Sequence, residues 1–237
     1  MEDFDVDANE EKFLRYVLQT KRYDLLPLRI DYVERQFACN GDLVYELYFD
    51  LTLARQKEIT TLIRKKCDIS TYRLFKLAVQ RNMKISELNM MLTKYERIGY
   101  YSVVLEEDCL ELFLEQEEDL RSLLSEENIH LELVKNGSSR IIHHLCKKGE
   151  YEPIIREYLV RSLRSWNGLR EKEFELLSSV CAQYASVEFL TECFMTHTSH
   201  FNVHLCKLLL RLGAKPSEEQ KQGLFPSFRN ELFAEDV

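Results

Sequence analysis

The stretch 138-SSRIIHHLCKKGEYEPIIREYLVRS-162 decides how this chain reads. Ser138 or Ser139 is a ready helix N-cap, because a short hydroxyl side chain accepts from the free N–H groups of a first turn. Ile141 to Lys147 fits one short helix. Gly149 supplies a turn, since it takes a left-handed backbone at little cost. Pro153 suits the first turn of a second helix, where its missing N–H costs nothing. Ile154, Ile155, Tyr158 and Leu159 form that helix's apolar face. The stretch is therefore a helical hairpin, with Cys146 packed inward and His143 or His144 facing a groove or water.

The same grammar extends in both directions. Only 4 Pro and 7 Gly occur in 237 residues, so helix breakers are scarce. Apolar residues fall at helical spacing through Leu47, Leu51, Leu53, Ile59, Leu62 and Ile63, through Leu74, Leu77 and Ala78, and through Ile85, Leu88 and Met91. Leu77 and Leu145 are assigned to the inner faces of their helices. Near the start, Phe13, Leu14, Tyr16 and Val17 give one face, and Leu25, Leu26, Leu28 and Ile30 a second, bent or started by Pro27. One stretch tempts a strand reading, Tyr100 to Glu107, and it is short. The expected fold class is all-α, with helices of about 8–14 residues broken by polar turns.

Several segments share one phrase: an apolar helix end, a basic or polar pair, then a turn residue. They are "LIRKKCDIS" (Leu62–Ser70), "LTKYERIGYYS" (Leu92–Ser102), "LELVKNGSS" (Leu131–Ser139) and "LLLRLGAKPS" (Leu208–Ser217). With Lys66, Gly99, Gly137, Gly168 and Gly213 as turn points, the steps are 33, 38, 31 and 45 residues. A period near 33 with insertions is a repeat signal.

These segments resemble ankyrin repeats. "LFKLAVQRNMKISELNMML" is similar to the family's first helix, turn and second helix, and "IIHHLCKKGEYEPIIREYL" to its helix pair. "LIRKKCDIS" and "LLLRLGAKP" resemble its helix end and loop, with Lys66 where the loop glycine stands. The resemblance spans Asn9 to Lys215. It implies an elongated stack of helical hairpins and a non-enzymatic role in binding other proteins. Another helical-hairpin array and a compact helical bundle are the alternatives. The expected organisation is an acidic tail over 1–10, a helical repeat domain over 11–223, and a segment over 224–237. That last segment carries Leu224, Phe225, Phe228, Leu232 and Phe233. It either caps the array, whose open end needs covering, or is a short motif for a partner.

Composition narrows function. Net charge is −8, which repels phosphate backbones, so direct nucleic-acid contact is not expected. No apolar run is long enough to span a bilayer, so no membrane association is expected. The start, "MEDFDVDANEEKF", is acidic where a secretion signal is basic and then apolar. The 7 Cys form no C-x-x-C pair and mostly sit among apolar neighbours, which fits a reducing compartment, cytoplasm or nucleus.

Chemistry-bearing clusters are few. Cys193, His197, His200, His204 and Cys206 bring imidazole and thiol to three- and four-residue spacing, the donor set zinc takes. The competing reading is a polar loop flanked by buried thiols, and no cofactor is expected. His143, His144 and Cys146 do not make a nucleophile and base, because His144 and Cys146 lie on different helix faces. No phosphate loop, G-x-S-x-G or H-E-x-x-H occurs. The dense acidic run over 106–128 reads as a solvated helix face or as a docking patch for a basic partner. An interaction scaffold or adaptor, a subunit of a larger complex, is thus the leading expectation. The rivals are a zinc-binding helical protein and an accessory subunit of a nucleic-acid complex. Candidate partner contacts are Tyr100, Tyr101, Trp166 and Asn167 at turn tips, with Glu117, Glu118 and Asp119 on the acidic run. The tyrosines either stand exposed as anchors or pack under the next repeat.

Overall fold

Every regular element among the described residues is helical, and no strand occurs there. A computed structural model of the chain describes residues 10–31, 33–34, 42–66, 70–88, 92–164 and 169–233. Trp166 and Asn167 lie outside these residues, as do most of the acidic tail and Gly168. The chain divides into two compact units, Met1–Leu123 and Leu124–Val237. Among the described residues no helix is long and apolar enough to cross a membrane.

In the first unit, α1 (Glu10–Thr20) buries Phe13, Leu14 and Val17. Two 3-10 turns follow, Tyr23–Leu25 and Pro27–Arg29, with Pro27 starting the second. Leu26 is buried, but Leu28 is 76% exposed, because a 3-10 turn does not hold the four-residue face expected there. Next come α2 (Asp42–Leu53), α3 (Lys57–Lys66) and α4 (Thr71–Gln80). A 3-10 turn, Ile85–Leu88, leads to α5 (Lys94–Glu106) and α6 (Leu110–Leu123). Helix α2 packs on α1, α3 and the Ile85–Leu88 turn, and α5 packs on both α4 and α6. Ser70 caps α4 through the Arg73 N–H, and Thr93 with Glu96 closes a capping box on α5.

Two further expectations fail in this unit, at Gly99 and Leu77, and the one stretch that tempted a strand reading is helical as the all-α reading requires. Gly99 is not a turn point but lies inside α5. Tyr100 to Glu106, the tempting strand, belongs to the same helix. Leu77 is only half-buried, since the covered face of α4 runs through Leu74, Phe75, Ala78 and Val79.

In the second unit, Ser125 caps α7 (Glu126–Asn136), and Gly137 ends it with φ of 70°. The opening hairpin is as read: α8 (Ser139–Lys147), a turn at Gly149 with φ of 96°, and α9 (Tyr151–Arg164) with Pro153 in its first turn. Ser138 stands at the N-cap of α8, although its hydroxyl makes no cap bond. Then follow α10 (Glu171–Tyr184), α11 (Val187–Thr198) and α12 (Val203–Leu212). Gly213 ends α12 with φ of 112°, a conformation where any side chain is strained. The unit closes with α13 (Glu218–Gln222) and α14 (Pro226–Phe233). Helix α14 packs on α12 with Phe228 and Leu232 buried, so this much of the 224–237 segment belongs to the second unit. Helix α8 packs on α7 and α9, α9 on α10, and α11 on α12, and more distant helices also touch: α7 with α9, α8 with α10, α10 with α12, and α9 with α12.

One backbone device ends helices in both units. A residue with positive φ follows the helix, and the next N–H reaches back five residues to a carbonyl. In the first unit these bonds run from Gln56 to Leu51 (2.9 Å), Met83 to Ala78 (3.0 Å) and Cys109 to Val104 (3.1 Å). In the second they run from Ser138 to Leu133 (3.1 Å), Glu150 to Leu145 (3.1 Å), Asn202 to His197 (3.2 Å) and Ala214 to Leu209 (2.9 Å).

Candidate functional site

The expected partner surface in the first unit combines α5 and α6. Helix α5 is covered on two sides, by α4 and α6. A helix flanked in this way buries a wide arc, and consecutive residues about 100° apart can both fall within it. Tyr100 and Tyr101 do so, at 0% and 1% exposure, and they are not exposed anchors. Their rings meet edge to face at 5.5 Å, and Tyr100 meets Phe75 the same way at 5.7 Å. The Tyr100 hydroxyl donates to the Met83 carbonyl (2.5 Å) and accepts from the Gln116 amide (3.5 Å). Gln116 in turn accepts from the Ile85 N–H (3.2 Å). Gln116 is itself buried and kinks α6, with φ of −126° and ψ of 16°. This polar network ties the Ile85–Leu88 turn to α5 and α6, and nothing in the sequence pattern announces it.

The acidic residues just after the kink have divided fates. Glu117 is partly covered and accepts from Arg121 (3.0 Å), while Glu118 and Asp119 are exposed. Other acids of the run are engaged: Glu107 with Lys76 (2.7 Å), Glu115 with Lys84 (3.0 Å), and Glu106 with the Tyr72 hydroxyl. Burial raises the Tyr101 phenol above its usual range, and the charge of Asp119 adds to the rise. Tyr101 thus lies beneath the surface, while Asp119 stands exposed on it. A cleft of about 670 Å³ lies elsewhere in this unit, lined by Lys21, Tyr23, Arg55, Lys57 and Glu58 among others. Its charges are mixed, and Lys21 is already paired with Asp50.

In the second unit the His and Cys residues of the rival zinc reading part between core and surface. Cys193 and Cys206 face the core, at 1% and 0% exposure, whereas His200 and His204 are exposed and His197 is half-buried. Among the described residues no three His, Cys, Asp or Glu side chains are arranged to hold a metal ion. The zinc reading is therefore not favoured. Burial pushes the Cys146, Cys181 and Cys206 thiols up to about 12 and raises Cys193 as well. Protonated, enclosed thiols are poor nucleophiles and poor ligands. His197 titrates below its usual value, first through burial and then through His200 nearby.

Two features escaped the sequence reading. His130 is buried and bonds Glu150 at 3.2 Å, which fixes the α8–α9 turn to α7. Phe201 follows α11 with φ of 53° and stands 56% exposed. Its ring lies 5.3 Å from Phe225, itself 65% exposed, and 5.6 Å from the buried Phe228. A composition signal existed: from Cys193 to Ser217 the chain has no Asp or Glu. Comparison with protein-family models, with characterised proteins and with solved structures finds no match.

Proposed function

We propose that the protein is a non-enzymatic interaction scaffold or adaptor, built from stacked helical hairpins resembling divergent ankyrin repeats, and that it works as a subunit of a larger complex inside the cell. The observation that carries this reading is the alternation in the second unit. There α7 touches α9, α8 touches α10 and α10 touches α12, contacts of the kind that hairpins stacked side by side would make. Such stacking leaves long faces open to partners while each hairpin relies on its neighbours for a core. The buried, protonated thiols support the same reading, because they give the cysteines a packing role. Direct nucleic-acid binding is disfavoured by the net charge of −8.

The test is recovery of a stoichiometric complex. The full chain, tagged at one end and then at the other, is purified from cells, and co-purifying proteins are identified by mass spectrometry and size-exclusion chromatography. One or more partners should co-elute in fixed ratio with both tags. A chain that elutes alone in both cases contradicts the proposal.

A further inference from the structure

We propose that Asn136–Gly137, at the end of α7, is a modification site at which the chain deamidates itself, converting the asparagine to aspartyl and isoaspartyl forms without an enzyme. The inference goes beyond the scaffold reading and does not depend on it.

The chemistry needs only the chain and water. The Gly137 backbone nitrogen attacks the Asn136 side-chain carbonyl carbon. A new N–Cγ bond forms, the Cγ–Nδ2 bond breaks, and the amide proton leaves with the side-chain nitrogen as ammonia. Water then opens the resulting cyclic imide at either carbonyl. One opening leaves an aspartyl residue with the main chain intact. The other leaves an isoaspartyl residue, whose main chain runs through Cβ. Nothing is oxidised or reduced.

Three observations place the reaction here. First, Gly137 ends α7 with φ of 70°, a turn that favours glycine. The missing Cβ that permits this turn also leaves the Gly137 nitrogen open to the preceding side chain. The space around it is empty, since an added Cβ would meet nothing within 4 Å. Second, Asn136 is exposed, so water reaches it, and its amide donates to Glu132 at a long 3.4 Å. Third, the product charge has a place to go. Asn136 and Gly137 line a cleft of about 360 Å³ with Lys135 and, from the start of α10, Arg170, Glu171 and Lys172. Glu173 lines it too, but it already accepts from the Arg161 guanidinium (2.8 Å) and the Arg170 N–H (2.9 Å). A new carboxylate at position 136 therefore joins a lining with three cations, which offset its charge.

The helix end is the gate. The Gly137 N–H donates to the Leu133 carbonyl (2.9 Å), and the Ser138 N–H donates to the same oxygen (3.1 Å). The Gly137 nitrogen attacks only after this last turn opens, so folding slows the reaction without stopping it. The isoaspartyl form adds an atom to the main chain and cannot keep both bonds to Leu133. Conversion thus loosens the connection between α7 and α8.

The experiment ages the purified full chain in water enriched in heavy oxygen, once in native buffer and once in urea. Peptide mapping by mass spectrometry, with fragmentation that separates aspartyl from isoaspartyl, follows Asn136. The map also distinguishes it from Asn40–Gly41 and Asn167–Gly168, which lie outside the described residues. In native buffer both products should accumulate at position 136, each carrying a heavy oxygen. In urea the conversion should run about tenfold faster or more, because opening is no longer required. Hydrogen exchange on the aged native chain should show protection lost at the amides of Gly137 and Ser138. Asn136→Gln, aged alongside, should keep it. The proposal is overturned if Asn136 stays intact in native buffer while urea converts it fully. Equal rates in the two conditions, products without heavy oxygen, or the same loss of protection in Asn136→Gln also overturn it. If Asn136→Gln fails to fold, the comparison of native buffer with urea on the unaltered chain decides the matter unaided.

Discussion

The two units turn their chains by the same backbone device but staff it differently. In the first, the left-handed positions are held by Lys21, Arg55, Asn82 and Asp108. In the second, Gly137, Gly149 and Gly213 hold them, and Phe201 is the side-chain-bearing exception among the described residues. A residue other than glycine in this region costs about 1–2 kcal/mol, somewhat less for Asn and Asp. The first unit meets that cost with contacts made elsewhere, such as the buried Tyr100–Gln116–Ile85 network. The second avoids it by composition. The difference teaches that turn geometry alone does not write itself into sequence. Only the cheap solution, glycine, leaves a mark that can be read.

The comparison breaks hardest at the core. Leu145→Asp places a carboxylate at a position with 0% exposure, between helices of the second unit. Burying it unpaired costs several kcal/mol, enough to unfold that unit. Hydrogen exchange followed by mass spectrometry should show protection lost across residues 124–233. Leu77→Asp, at a half-buried position of α4, should cost far less. Equal effects would mean that the covered face of α4 is misplaced.

Alkaline pH gives the next effect. Folding raises the Cys146, Cys181 and Cys206 thiols from 9.0 to about 12, so the folded state keeps protons that the unfolded state releases. Their contribution is whole below pH 9 and is lost progressively as pH rises from 9 toward 12. In the first unit the raised groups include the tyrosines Tyr23, Tyr72, Tyr100 and Tyr101, whose reference value is 10.0, and the lysines Lys21 and Lys76, whose reference value is 10.5, so its loss begins at least about one unit later. Exchange measured at stepped pH should show the second unit loosening first. Cys181→Ala should soften that slope, and a slope identical to wild type would reject the thiol explanation.

Turn staffing itself can be reversed. At Gly213 an added Cβ would meet the Leu190 side chain at an ordinary 3.8 Å, so the penalty is conformational. Gly213→Val should destabilise the second unit by about 1–2 kcal/mol. Arg55→Gly should instead be neutral or stabilise the first by up to about 1 kcal/mol, as relief of strain outweighs added chain entropy. Thermal melts of the two variants should therefore shift in different directions. Two downward shifts of equal size would show that Arg55 has a role beyond its turn.

The smallest contrast lies between two buried tyrosines. Tyr100 donates to the Met83 carbonyl, whereas the Tyr158 hydroxyl is buried with no hydrogen-bond partner among the described residues. Tyr100→Phe should cost about 0.5–1.5 kcal/mol. Tyr158→Phe should be near neutral, and denaturant titration resolves the two. A matching cost at Tyr158 would mean that a water serves its hydroxyl.

Legibility follows the same line. The α8–α9 hairpin was readable because Gly149 and Pro153 bracket it and Ile154, Ile155, Tyr158 and Leu159 repeat at helical spacing. The turn at Gly213 was readable for the same reason. In the first unit a period anchored on Gly99 misled, since that glycine is helical and the real turns fall at Arg55, Asn82 and Asp108. The candidate site was legible only in part. Glu118 and Asp119 are exposed as expected of a solvated acidic run. Tyr100 and Tyr101 are not, because exposure there depends on how many helices flank α5. Phe201 was missed because the polar neighbours in "THTSHFNVH" make it look like an ordinary loop residue.

The sequence by itself determined what is local. It set helix over strand, the caps at Ser70, Ser125 and Asn202, and the turns marked by glycine. These depend on residues within about one turn of each other. Tertiary structure decided the burial of both central tyrosines, the kink at Gln116 and the facing of Phe201 by Phe225. Each of these joins residues from separate helices. A side chain's own spacing sets which way it points along its helix, but only the neighbouring helices determine whether that direction is core or solvent.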